Sequence, residues 1–266
     1  MDKAGREYWD QQYQQVSVSG SVNLQNQGLN NYANQRVHEL FRGILAGVDT
    51  KGRTLLEIGC GNSAWLPYFA KEYGFHVSGI DYSPQGCRHI RSHLAMEGID
   101  GEIVCGNFFD PPQRLKGAFD VVVSLGVVEH FVKTGECLRA CAEFLKPGGL
   151  MITLIPNMTG LIGMLQKLAN RPVYDTHVPL DRIQLAAAHE SGMELVWCRY
   201  FMFLNLCILN LGDPERSIGA AIGARLASWV TKGTWIMGRI MPLPPPNRLT
   251  APYVVAVARK PCASPS

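Results

Sequence analysis

Hydrophobic and polar positions divide the chain into three regimes. Residues 1–35 are dominated by Gln, Asn and Ser, and this low apolar content predicts an arm, a lid or a partly ordered tail rather than core. Within it Tyr8, Trp9 and Tyr13 stand out, and the spacing of Trp9 and Tyr13 puts them on one helical face. From residue 36 short apolar runs alternate with helical stripes. The pattern predicts helices over 36–45, 63–73, 84–97 and 133–145, and strands over 53–58, 75–80, 102–105, 119–124 and 150–155. Pro84 suits a first helical turn, where its missing N–H costs little. Strands alternating with helices imply a parallel sheet covered on both faces, an α/β domain of the Rossmann-like kind. Beyond residue 155 the rhythm changes to helices over 161–169 and 180–191, a sixth strand over 194–203 and a long apolar, helical stretch over 205–241. An extended proline-rich turn at 242–247 and a seventh strand over 253–258 close the chain. The organisation expected is an arm over 1–35 and one domain over 36–266 with a helical cap inserted at about 205–245.

Composition narrows the classes. Of 266 residues 47 % are hydrophobic and 18 % charged, enough to bury a core. A net charge of +3 without any Lys/Arg run argues against nucleic acid as a partner. The eight cysteines form no C-x-x-C pair, which argues against a zinc ribbon and for a reducing, cytoplasmic setting. The polar N-terminus does not read as a signal peptide. The apolar stretch 201–211 is too short to span a bilayer.

The chemistry begins at Thr54-Leu-Leu-Glu-Ile-Gly-Cys-Gly-Asn-Ser-Ala64, where an apolar run ends in two glycines and a helix pattern follows. Gly59 and Gly61 let the backbone approach a ligand, and the following helix offers free N–H groups. Gly59, Gly61 and Ala64 match dinucleotide spacing, and Asp81 ends the second strand where a ribose ligand is expected, so the loop alone has two possible owners. Four features separate them. Glu57, just before the loop, would repel a pyrophosphate but orient a cationic amino-acid moiety. Cys105-Gly-Asn-Phe-Phe-Asp110 places a polar amide and an aromatic ring where an adenine has an edge and a face. Ser124-Leu-Gly-Val-Val-Glu-His130 opens a crevice at the sheet's C-terminal edge. Lys146-Pro-Gly-Gly-Leu150 reads as a tight turn into the fifth strand, and no Tyr-x-x-x-Lys dyad follows the fourth.

This combination resembles the class I S-adenosylmethionine-dependent methyltransferases, specifically over residues 53–155 and more loosely over 194–259. The resemblance implies a seven-stranded, mostly parallel sheet whose last strand is antiparallel. It implies S-adenosylmethionine as cofactor, S-adenosylhomocysteine as product and no metal. It gives Glu57, Gly59, Cys60, Gly61, Asp81, Tyr82, Asn107, Phe108 and Leu125 as cofactor contacts: Asp81 for the ribose hydroxyls, Asn107 and Phe108 for adenine, Leu125 near the methionine end. The family often carries Asp where this chain has Asn107; an amide carbonyl still accepts from the adenine amine. In the ubiquinone-pathway O-methyltransferases a Glu-x-x-Glu-His cluster binds a divalent metal, and here Gly126 replaces its first acid.

Methyl transfer from a sulfonium is an in-line displacement, and a base matters only for a protonated nucleophile. His130 and His177 are the candidate catalytic groups and, with Tyr8, Trp9 and Tyr13, the candidate substrate contacts; each histidine also has a purely structural reading, as do the arm aromatics, which would then only dock the arm. The cap carries Asp213, Glu215, Arg216, Arg225, Lys232 and Arg239 among many Leu, Ile, Ala, Trp and Met. It suits a wall around a lipophilic or aromatic small molecule, a homodimer face or a weak membrane-surface contact. The expected function is methylation of a small acceptor, with oxygen favoured, in specialised metabolism. N- or C-methylation and a non-catalytic cofactor-binding subunit are the alternatives.

Overall fold

The computed structural model describes residues 1–213 and 217–262, so Pro214, Glu215 and Arg216, read above into the cap, lie outside the described residues. Seven strands form one sheet: β1 (Thr54–Ile58), β2 (His76–Asp81), β3 (Gly101–Cys105), β4 (Phe119–Leu125), β5 (Leu145–Pro156), β6 (Glu194–Phe201) and β7 (Tyr253–Arg259). Their order is β3-β2-β1-β4-β5-β7-β6. β1 to β5 pair in parallel, and β7 runs antiparallel between β5 and β6. The strand order reverses at β1 and β4, which leaves a crevice outside their carboxyl ends.

Helices flank both faces: α1 (Arg6–Gln14), α2 (Tyr32–Ile44), α3 (Trp65–Tyr73), α4 (Pro84–Met96), α5 (Thr134–Glu143), α6 (Leu161–Ala169), α7 (Arg171–Asp175), α8 (Arg182–Glu190) and α9 (Ile218–Ile240). The sheet's residues alternate into two apolar layers. Leu55, Val77, Val121 and Ile152 pack with α2, α3 and α4, while Leu56, Ile80, Val122 and Met151 pack with α5 and α8. Continuous burial of β1 and β4 is what a two-sided parallel sheet demands.

Two elements differ from their sequence pattern. The tight turn expected at residues 146–149 is a bulge inside a longer strand: Leu145 already pairs with Phe119, the register shifts before Val121, and Gly148 takes φ 75°. The cap is also not one helix from residue 205. Asn205 turns its side chain back to accept from Cys207 N–H, and a short 3-10 turn spans Leu206–Ile208. The helix begins only where Ser217 caps Ala220 N–H. The arm, in turn, is folded onto the body. Asp2 bridges antiparallel to Phe131, Lys3 N–H donates to His130 O at 2.8 Å, and α1 packs on α4.

Candidate functional site

The crevice holds a cavity of about 1170 Å³ whose two ends are built differently. At one end β1 breaks into the glycine loop. Gly59 has φ 71°, a conformation that penalises any side chain, and a Cβ there would meet Val127 at 2.4 Å. A Cβ on Gly61 would lie 2.8 Å from Asp81 Oδ2. The loop is thus a bare main-chain cradle facing the carboxylate that ends β2. Asp81 accepts from Gly61 N–H at 2.8 Å and Ser83 N–H at 2.7 Å, and burial holds its pKa up at about 6. Glu57, fully buried, accepts from Ser63 Oγ–H at 2.8 Å; its other oxygen has no partner among the described residues, and burial raises its pKa to about 8.

Most of the expected cofactor contacts converge here. Glu57, Gly59, Gly61, Asp81, Tyr82, Asn107, Phe108 and Leu125 all line the cavity. Tyr82 donates to Asp2 of the arm at 2.9 Å, Asn107 accepts from Phe109 N–H at 3.0 Å, and Phe108 stacks on Phe109. Cys60 is the exception. Its side chain is fully buried against Gly79, and only its backbone belongs to the loop.

At the other end His130 and His177 meet, with ring centroids 4.6 Å apart. His130 ends a 3-10 turn, Val128–His130, after β4; His177 follows α7. His130 Nδ1 lies 2.8 Å from Thr176 O and His177 Nδ1 lies 2.8 Å from Val173 O. A carbonyl only accepts, so each Nδ1 carries the proton and each Nε2 offers a lone pair. Burial lowers both pKa values, that of His177 to about 4, so both rings are neutral at neutral pH. Lys3 Nζ donates to His177 O at 2.6 Å and ties the arm to this corner.

Beside the histidines, in the same 3-10 turn as His130, Glu129 is buried with neither oxygen hydrogen-bonded among the described residues; burial raises its pKa to about 8. One ligand atom each of Glu129, His130 and His177 lies within 4.8 Å of the others. The two Nε2 lone pairs and the Glu129 carboxyl, unpartnered among the described residues, converge as the donors of a divalent ion would, with Gly126 standing where the ubiquinone-pathway pattern has its first acid.

The three arm aromatics part company. Trp9 stacks on Tyr13, as their spacing requires, and meets His130 edge-on at 5.3 Å. Tyr13, expected at the acceptor, instead lies at the glycine loop, where a Cβ on Gly61 or on Gly86 would lie 2.7 Å from its ring or hydroxyl. Tyr8 lines the cavity beside Trp9. Sequence reasoning missed Asp2, Gln166, Ile208 and Asn210, which also line the cavity. Gln166 and Asn210 are bonded to each other's main chain or side chain across 44 positions, a pairing no local pattern signals.

A glycine cradle at the switch point of a seven-stranded sheet with an antiparallel last strand, facing an acid at the end of β2, defines a nucleoside-binding α/β protein of the methyltransferase type. Residues 55–149 match the family model described as a methyltransferase domain. The ubiquinone biosynthesis O-methyltransferase of Thiobacillus denitrificans is 32 % identical over 173 residues, 59 % of this chain and 73 % of that protein. The chain belongs to the class I S-adenosylmethionine-dependent methyltransferases. The protein of the same name from Caulobacter vibrioides is 38 % identical over 109 residues, 41 % of this chain and only 43 % of its own length. The fold is shared with the [4+2]-cyclase SpnF, at a TM-score of 0.63 and 14 % identity over 99 % of this chain and 97 % of that one. No helix among the described residues is long and apolar enough to cross a membrane.

Proposed function

We propose that this chain methylates an oxygen of a small lipophilic or aromatic acceptor. One observation carries the reading: a single cavity joins the glycine loop and Asp81 to His130, whose Nδ1–H is held by Thr176 so that Nε2 is left as a base. Bound in the cradle, S-adenosylmethionine supplies a methyl group on a sulfonium whose sulfur leaves as a thioether. Asp81 would exchange its bond to Gly61 N–H for the ribose hydroxyls, and Asn107 and Phe108 would meet the adenine. Glu57 would orient the amino group of the methionine moiety, its carboxyl ionising as a cation approaches. His130 Nε2 takes the proton of the acceptor hydroxyl as its oxygen bonds the methyl carbon, with His177 beside it as a second neutral base. Phe131 and Trp9 wall the acceptor space and exclude water. The arm acts as a lid: Tyr13 fills space beside Gly61 and Asp81 that a bound nucleoside would contest, so binding would move α1. The relatives' names, ubiquinone biosynthesis O-methyltransferase, support oxygen as the acceptor atom.

The test is calorimetric titration with S-adenosylmethionine and S-adenosylhomocysteine, followed by labelled methyl transfer to matched phenols, amines and isoprenoids. Transfer to a phenol is expected. Binding without turnover on any acceptor would instead favour a non-catalytic subunit, and transfer only to amines or carbon would correct the acceptor atom.

A further inference from the structure

Helix α9 has two apolar faces, and the protein body uses one. Ala220, Ala227, Thr231 and Trp235 are buried; Trp235 stacks on Tyr32 and donates from Nε1 to Leu204 O at 3.1 Å. At about 100° per residue these side chains share one side of the helix. Ile218, Ile222, Leu226, Trp229, Ile236 and Ile240 project from the other, with exposures of 81, 53, 62, 79, 46 and 77 %. Helical spacing gathers these six into one continuous stripe. Arg225, Lys232 and Arg239 recur every seven residues and so run along one edge of that stripe. The helix contains no Asp or Glu.

We propose that this exposed face rests on an anionic lipid bilayer, with the stripe in the acyl boundary and the cations at the headgroups. The charge pattern selects this occupant. A second copy of the chain would bring another acid-free helix, with no carboxylate on it to meet the cations. A row of cations beside a Trp-containing apolar stripe is complementary to phosphates above hydrocarbon. The helix's 23 residues extend about 34 Å, and since it is not apolar enough to cross a bilayer, it lies along the surface. The position also serves the cavity. Leu211 packs against Gly223 of α9, and the adjacent Ile208 and Asn210 line the cavity, so one short segment separates the lipid from the acceptor space. The surface proposal stands whether or not the chain transfers methyl groups.

The experiment is co-sedimentation of the full chain with phosphatidylcholine vesicles, with and without phosphatidylglycerol, across a salt series. Binding to the anionic vesicles, weakened by salt, is expected. Ile222→Ser/Leu226→Ser/Trp229→Ser should lower it by about tenfold or more, with the melting temperature confirming that these exposed changes leave the fold intact. Arg225→Gln/Lys232→Gln should remove most of the salt dependence; Arg239 is left alone because it donates to Gln27 O at 3.0 Å. Failure to sediment, or equal binding by the triple serine variant, overturns the proposal. So does a dimer in sedimentation velocity that the same variant splits while vesicles are ignored.

Discussion

The two ends of the cavity are made of different material. The floor at Gly59–Gly61 is main chain, fixed by β1, β2 and the sheet behind them, and the Asp81 carboxylate that faces it is held by two backbone N–H groups. The far end is side chain. His130, His177 and Glu129 come from the loop after β4 and the loop after α7, pinned by single carbonyl contacts or, for Glu129, by no hydrogen bond among the described residues. A main-chain cradle is hard to alter by substitution and suits a constant cofactor. A side-chain cluster changes with one residue and suits a variable acceptor. The contrast implies that damage to one end should leave the other working.

His130→Ala carries the largest expected effect. Losing a positioned base should lower kcat by about 10²–10⁴-fold, while calorimetry with S-adenosylhomocysteine returns an unchanged Kd. A matching loss of cofactor affinity would mean the ends are not separate. Asp81→Ala is the reciprocal test. Leaving ribose hydroxyls unpaired should cost about 1–3 kcal/mol of cofactor binding, with kcat at saturating cofactor little changed. Unaltered affinity would remove Asp81 from the ribose role.

The same division explains what the sequence disclosed. Glycines with positive φ, an acid at a strand end and a proline at the first helical turn are local demands of backbone geometry, so Gly59, Asp81 and Pro84 are legible one by one. The acceptor end depends on distant pairings. His130 and His177 are 47 positions apart, and nothing in either neighbourhood announces that their rings sit 4.6 Å from each other. Tyr13 shows the limit within a single element. Its helical face relative to Trp9 was readable, but which end of the cavity that face meets depends on how α1 crosses α4. The boundary of α9 was hidden for another reason. The apolar content of 201–211 continues a helical pattern, while the Asn205 side chain and Gly212, with φ 91°, break it.

The arm touches both ends, through Tyr13 at the loop and Trp9 at His130, and therefore tests whether they communicate. Removing residues 1–15 should lower turnover by about tenfold through lost water exclusion, yet shift the melting temperature little, because α1 contributes no fully buried residue. Equal activity without the arm would leave it a docking element only.

A further expected effect is one of stability, and it isolates the acceptor end from any ligand. Glu129 is buried, and its pKa is raised from 4.5 to about 8. The sign follows from proton binding: between pH 4.5 and 8 the unfolded chain has released this proton and the folded chain keeps it, so the group's contribution is complete below 4.5 and is lost as pH rises through 8. Glu129→Gln keeps the shape and cannot ionise. Its melting temperature should match the parent near pH 5 and exceed it near pH 9, since each pH unit between the two pKa values costs the parent up to about 1.4 kcal/mol. Asp120 provides the internal contrast, because Lys146 and Thr54 hold its carboxyl down at about 2, so its contribution is constant between pH 5 and 9 and is lost only as pH falls from about 3.8 through 2. A Glu129→Gln difference that stays constant across the pH range would mean that Glu129 is already ionised in the folded protein. The donor set beside His130 would then include a standing negative charge, and the cavity's acceptor end would suit a cationic amine better than a phenol.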